Sequence, residues 1–206
     1  MPTLAIRPLT PERWPDLEAV FMARGCSVAR GCWCMFYRET GAFILPGGKQ
    51  PVQARKQSLR DLVTRGPAPG LIAYLGKRPV GWVTLGPRED FRRLARSRAM
   101  KAVDDKPVWS IVCFVVPSEF RGQGVATALL EGAVAYAKKQ GATLVEAYPK
   151  EPEGKVADDS LWFGKKSMYD KAGFAEVARH VPDRPVMRKA LRQSPARKKA
   201  AARRPP

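Results

Sequence analysis

The residues from Val115 to Ala126, Val-Val-Pro-Ser-Glu-Phe-Arg-Gly-Gln-Gly-Val-Ala, carry the strongest chemical signal in the chain. A run of apolar residues passes through a short loop holding Gly122 and Gly124 and enters a segment with helical periodicity. Glycines at that junction let the backbone approach a ligand closely. The first turn of a helix also offers N–H groups with no partner inside the helix, so an anion is favoured there. The arrangement suits a phosphate or pyrophosphate. It is neither of the two common nucleotide loops, because GxxxxGK[ST] is absent and Gly122-x-Gly124 lacks the third glycine of a dinucleotide fingerprint.

Four cysteines are the other chemically active group: Cys26, Cys32, Cys34 and Cys113. A chain of 206 residues, 45% of them hydrophobic, can bury a core without disulfide staples. Cys26-x5-Cys32-x-Cys34 has no CxxC pair, and the one histidine, His180, is distant, so no metal site is expected. Cys113 sits in an apolar run and reads as a small buried hydrophobe. Cys32-Trp33-Cys34-Met35-Phe36-Tyr37 forms an aromatic and sulfur-rich cluster, read as core residue by residue and as an apolar pocket wall when taken together with Trp82, Trp109 and Trp162.

The elements that must position these residues follow from periodicity. Leu4–Leu9 alternates as a strand. Thr10-Pro11-Glu12 opens a helix with Leu17, Val20 and Phe21 on its apolar face. Residues 25–50 give no clear pattern, and Gly47-Gly48 marks a break. Residues 52–65 are helical. Leu71–Leu75 and Val80–Leu85 form a hairpin across Gly76–Pro79. Arg88–Met100 reads as a charged, exposed insertion, and Val108–Val116 as a strand buried on both faces. Val125, Leu129, Leu130, Ala133, Val134 and Ala137 recur at helical spacing up to Gly141. A strand at Thr143–Tyr148, a short helix at Lys165–Ala172 and two closing strands, Phe174–Ala178 and Val186–Leu191, complete the order βα(α)ββ(α)βαβαββ. The class is α/β of the α+β type: one domain, residues 1–191, with a central mixed sheet.

Arg121-Gly122-Gln123-Gly124-Val125-Ala126 resembles the acyl-CoA-binding loop of the GNAT superfamily of N-acetyltransferases, Gln/Arg-x-x-Gly-x-Gly/Ala. Tyr169-Asp170-Lys171-Ala172-Gly173-Phe174 is similar to that superfamily's late Tyr-x-x-x-Gly-Phe element. The element order agrees over roughly Leu4–Leu191. The resemblance implies a mostly antiparallel sheet flanked by helices and acetyl-CoA as co-substrate. Phe114, Val115 and Val116 would flank its thioester, and the N–H groups of Arg121, Gly122, Gln123, Gly124, Val125 and Ala126 would hold its pyrophosphate. It further implies transfer of an acetyl group to a primary amine by direct attack, with Tyr169 as the acid that protonates the departing thiolate. Relatives often carry a carboxylate base near the start of the central strand, where this chain has Trp109 and Ser110. Glu146, a carboxylate in an apolar strand, is the candidate base; Asp104, Asp105, Glu119 and water remain open. So does a non-catalytic acyl-CoA-binding module.

Charge bears on partners. Thirty-seven Lys and Arg stand against nineteen Asp and Glu, a net +18. Arg188–Pro206 holds eight basic residues and no acid, which leaves +10 on residues 1–187. The body itself therefore suits an anionic ligand. Residues 192–206 should form a disordered basic tail, able at most to bind nucleic acid weakly. The longest apolar runs fall far short of the roughly 20 residues of a membrane helix. Met1–Arg7 has no signal-peptide pattern, so a cytoplasmic location is expected. The acceptor is expected to be a small-molecule or peptide amine, and the oligomeric state is open.

Overall fold

A computed structural model describes residues 3–40, 52–151, 154 and 161–191. The expected tail at 192–206 and the break at Gly47-Gly48 lie outside these residues. The elements are β1 (Leu4–Pro8), α1 (Trp14–Met22), α2 (Ser27–Cys32), α3 (Val52–Thr64), β2 (Gly70–Leu75), β3 (Arg78–Pro87), β4 (Trp109–Val115), α4 (Val125–Lys139), β5 (Leu144–Ala147), α5 (Lys166–Lys171), β6 (Ala175–Val181) and β7 (Arg184–Ala190). Seven strands form one sheet in the order β1-β2-β3-β4-β5-β7-β6. Only β4 and β5 run parallel, as the intervening α4 requires; the other pairs are antiparallel.

Alternation along the strands divides the core. Leu71, Ala73, Val83 and Leu85 face α4, which buries Val125, Leu129, Leu130, Ala133 and Ala137 against them. Ile72, Tyr74 and Trp82 point the other way, onto Leu17, Val20 and Phe21 of α1 and Leu59 and Val63 of α3. Both faces of β2 and β3 are covered, which is why these strands read as nearly continuous apolar runs. The hairpin is tighter than its sequence implied. Arg78 and Pro79 already pair with Leu75 and Tyr74, so the turn is Gly76-Lys77, with Gly76 at φ +61°.

The first helix also differs from expectation. Pro11–Arg13 is a separate 3-10 turn, and α1 begins only at Trp14. Thr10 provides no side-chain cap to the backbone; its hydroxyl accepts instead from Arg13. The supposed insertion at Arg88–Met100 is not an exposed excursion. Phe91, Leu94 and Met100 are buried and form a third cluster with Val112, Tyr148, Phe163 and Val186. Its charges are used as well. Arg88 donates to Glu146 at 2.7 Å and to the Met100 carbonyl at 2.6 Å, and it also bonds the Tyr148 hydroxyl.

Two predictions follow from this packing. A Cβ on Gly70 would lie 2.3 Å from the Val83 carbonyl oxygen and as close to the Trp82 ring. Gly70→Ala should therefore cost about 1–3 kcal/mol, read as a lower urea midpoint at unchanged slope. Glu146 is fully buried between Arg88 and Arg188, whose guanidinium groups both sit 2.7 Å from its oxygens. Glu146→Gln should cost about 3–5 kcal/mol by the same measurement, since it leaves the partly buried Arg88 without its counter-charge and Arg188 with Asp104 alone.

Candidate active site

The sheet opens at β4. A bulge at Val112 shifts the pairing with β3, so that Ile111 faces Leu85 while Cys113 faces Thr84. On its other side β4 pairs with β5 only at Trp109, Ser110 and Ile111. Beyond that point the strands part, and the Phe114 N–H bonds the Trp162 carbonyl at 2.7 Å instead of a strand. A cleft of about 620 Å³ fills the gap. Its walls are Cys113–Val116 of β4 and the residue after it, Phe120–Gly122 and Gly124–Thr127 of the loop and helix start, residues from Gly25 to Cys32 around α2 such as Val28 and Ala29, and Leu161, Trp162, Gly164, Lys165 and Met168 near α5.

The loop between β4 and α4 is built for exposed N–H groups. Gly122 and Gly124 have φ of +74° and +79°, a region that side-chain-bearing residues seldom adopt, and no atom lies within 4 Å of a Cβ built on either. The glycines thus serve backbone conformation, and the space above them is open. Gly124 is the N-cap of α4 and gives it no side-chain cap, so the first-turn N–H groups face the cleft mouth. Gln123 folds back to donate to the Glu119 carbonyl at 2.7 Å. Such a start fits a pyrophosphate by both donors and dipole.

Arg121 braces this loop. Its Nε donates to the Val116 carbonyl at 3.1 Å and its Nη2 to the Gly25 carbonyl at 2.7 Å. The Ser118 N–H bonds the Arg24 carbonyl at 3.0 Å. Together they stitch the α1–α2 connection to the cofactor-type loop. Arg121, Lys165 and Lys171 give the cleft a positive lining.

The residues from the aromatic cluster divide. Cys32 and Trp162 line the cleft, whereas Trp33, Met35 and Trp82 are packed in the core and Trp109 stacks edge-on with Tyr136. Cys113 packs against the second core cluster, as its apolar run implied, but is only half-buried and also lines the cleft beside the bulge. Tyr169 is fully buried and donates to the Phe163 carbonyl at 2.9 Å. Burial, with Cys113 nearby, pushes its hydroxyl well above the usual tyrosine range. Its chain neighbour Met168 forms cleft wall.

Glu146 stands apart from the cleft walls. Beside its two arginines it accepts from Tyr148 at 2.6 Å, and Tyr148 in turn accepts from Ser110 at 3.0 Å. Glu146 lies in register with Ser110, where relatives were expected to carry the base, but its oxygens point into this closed network. Two of the other candidate carboxylates are also engaged, Glu119 with Arg78 and Asp104 with Arg188, each at 2.8 Å, and Asp105 does not line the cleft. The cleft residues Gly25, Cys26, Val28, Ala29 and Leu161 were missed in the sequence. They carry no motif and reach the cleft only through tertiary packing. Among the described residues no group of His, Cys, Asp or Glu is arranged to hold a metal, and no helix is long and apolar enough to cross a membrane.

Comparison with known proteins agrees with this geometry. Solved structures similar to the chain include a ribosomal-protein-alanine N-acetyltransferase from Brucella melitensis, with 20% identity over 91% of this chain and 99% of that one, at a TM-score of 0.52. A PaiA N-acetyltransferase from Thermoplasma acidophilum, solved in complex with coenzyme A, is 18% identical over 92% and 99%, at a TM-score of 0.51. A GNAT-family protein from Desulfovibrio desulfuricans is 17% identical over 91% and 99%, at a TM-score of 0.52. At these identities the likeness is one of fold. Among curated proteins none matches by sequence. The profile of the Acetyltransferase (GNAT) family matches residues 34–158, and the chain belongs to that family.

Proposed function

We propose that the protein transfers an acetyl group from acetyl-CoA to the primary amine of a small-molecule or peptide acceptor. The observation that carries this reading is the parting of β4 from β5 directly above an uncapped helix start. The N–H groups of Gly122–Ala126 hold the pyrophosphate, and the Arg121 side chain keeps their loop in place. Phe114, Val115 and Val116 flank the pantetheine and its thioester. The acceptor approaches past the apolar wall of Val28, Ala29 and Trp162.

The amine attacks the thioester carbonyl directly. Glu146, Asp104 and Glu119 are held in ion pairs and Asp105 lies outside the cleft lining, so water takes the amine's proton. Tyr169 supplies the proton to the leaving sulfur, which requires its hydroxyl to exchange the Phe163 carbonyl for that sulfur. Its raised pKa keeps the proton in place until the thiolate, a strong base while still desolvated, departs. A non-catalytic acyl-CoA-binding module would bind the same ligand and turn nothing over, so product formation with an amine panel separates the two readings.

The loop is tested by charge at one backbone position. Gly124→Glu places a carboxylate beside the phosphate site and should weaken CoA binding by more than about tenfold, or ~1.4 kcal/mol. Gly124→Asn, which tolerates a positive φ, should retain most of the affinity. Equal calorimetric affinities for wild type and the Glu variant would overturn the assignment.

Tyr169→Phe tests the acid. Losing the bond to Phe163 should cost about 1 kcal/mol of stability. With Tyr169 as the acid, turnover per folded molecule should also fall by roughly 10²–10⁴-fold at near-constant cofactor affinity. Unchanged turnover, with chemistry shown to be rate-limiting, would leave Tyr169 a structural residue.

A further inference from the structure

The thiols of Cys32, Cys34 and Cys113 form a chain along the inner wall of the cleft. Cys34 belongs to the apolar cluster against which both Cys32 and Cys113 pack. The Cys34 N–H donates to Cys32 Sγ at 3.3 Å, and Trp82 Nε1 donates to Cys34 Sγ at 3.2 Å. Cys32 and Cys113 are half-buried and line the cleft, while Cys34 is buried between them. All are reduced.

The backbone is held out of its preferred conformation to achieve this. Trp33 and Cys34 have φ of +47° and +52°, and they are the only residues other than glycine at positive φ among those described. A bulky side chain there costs on the order of 1–3 kcal/mol, and such strain concentrates at functional sites. From the other side the bulge at Val112 presents Cys113 at the gap between β4 and β5. Two independent distortions therefore converge on one row of thiols. That row abuts Phe114, where the proposed function puts the sulfur of the bound cofactor.

We propose that this row is a thiol–disulfide exchange site for a pantetheine disulfide such as oxidised CoA, with Cys113 the attacking and Cys34 the resolving thiol. The inference rests on the cofactor reading above. The Cys113 thiolate attacks one sulfur of CoA disulfide. A Cys113–CoA disulfide forms, and one CoA thiolate leaves and takes up the proton that Cys113 gave up. The Cys34 thiolate then attacks the Cys113 sulfur, forming a Cys34–Cys113 disulfide and releasing the second CoA as its thiol. Two protein thiols are oxidised and one CoA disulfide is reduced to two thiols. The Cys113 thiol and burial push Cys34 well above the usual range, so little thiolate forms and the second step is the slower one. Until it occurs, the adduct fills the cleft and excludes acetyl-CoA.

The test exposes the full chain to CoA disulfide and, separately, to glutathione disulfide at equal concentration, with intact-mass readout and peptide mapping. Binding in the cleft raises the local concentration of the reacting disulfide. One CoA should therefore add at Cys113 at least about tenfold faster than glutathione, and excess acetyl-CoA should suppress the reaction. Cys34→Ser should make the mixed disulfide the end product. Cys113→Ser and Cys113→Ala should both lose it. Calorimetry with reduced CoA on the same samples separates the two levels of the argument. If CoA binds but no adduct forms, or glutathione reacts as fast, or the adduct sits only on Cys26 or Cys32, the exchange site is overturned and the cofactor reading stands. If CoA does not bind, the cofactor reading fails and this inference fails with it.

Discussion

The parting of β4 from β5 is the constraint on which the rest of the structure depends. A parallel pair broken after Ile111 leaves backbone groups that must find other partners or face a ligand. The Phe114 N–H finds the Trp162 carbonyl, and the Val116 carbonyl finds the Arg121 side chain. Both partners come from segments bordering the cleft, so satisfying the split strand also builds its walls. The bulge at Val112 makes the departure possible without unpairing β4 from β3, which continues to Val115.

What keeps the split from closing is packing on both sides of it. On one face α4 is pressed onto the sheet so tightly that a Cβ on Gly81 would lie 2.8 Å from Val125. On the other, the Glu146 network ties β4, β5 and β7 together below the branch point through Ser110, Tyr148 and Arg188. A buried carboxylate with two cations and a hydroxyl donor is stable only when every partner is present. That demand aligns three strands at the base of the cleft. It also explains why Glu146, although level with Ser110, lies among structural partners and not along the cleft.

The sequence was most informative where local physics decides. The periods of β2–β5 and α4, the glycines at the helix start and the Tyr169–Phe174 element are all local patterns, and each element falls at or near its expected place. Arg88–Met100 was misread because its charges suggested exposure. Arg92, Arg96 and Arg98 are indeed exposed, but Arg88 pairs with a glutamate 58 residues away, and Phe91 and Leu94 anchor the segment. Cys113 read as core and does pack against it, but its second role as cleft wall beside the bulge leaves no mark in composition. The α1–α2 connection was unreadable for a similar reason. Gly25 matters because its carbonyl receives Arg121 and its lack of a Cβ leaves room for Ser118, facts of tertiary contact alone.

The division of labour at the cleft follows from polarity. Carboxylates in this basic protein are spent holding arginines: Glu146 with Arg88 and Arg188, Asp90 with Arg38, Glu119 with Arg78. The described cleft walls keep cations for an anionic ligand, apolar surface for its neighbour, and thiols in place of carboxylates. A thiol wall is not inert toward a disulfide, since its thiolate form exchanges with the disulfide sulfur without any metal. In the reduced form the thiols behave as soft apolar wall against which a pantetheine arm can pack. On the two proposals above, the same wall reacts only when the sulfur it meets is oxidised, so one surface would serve transfer in one redox state and exchange in the other.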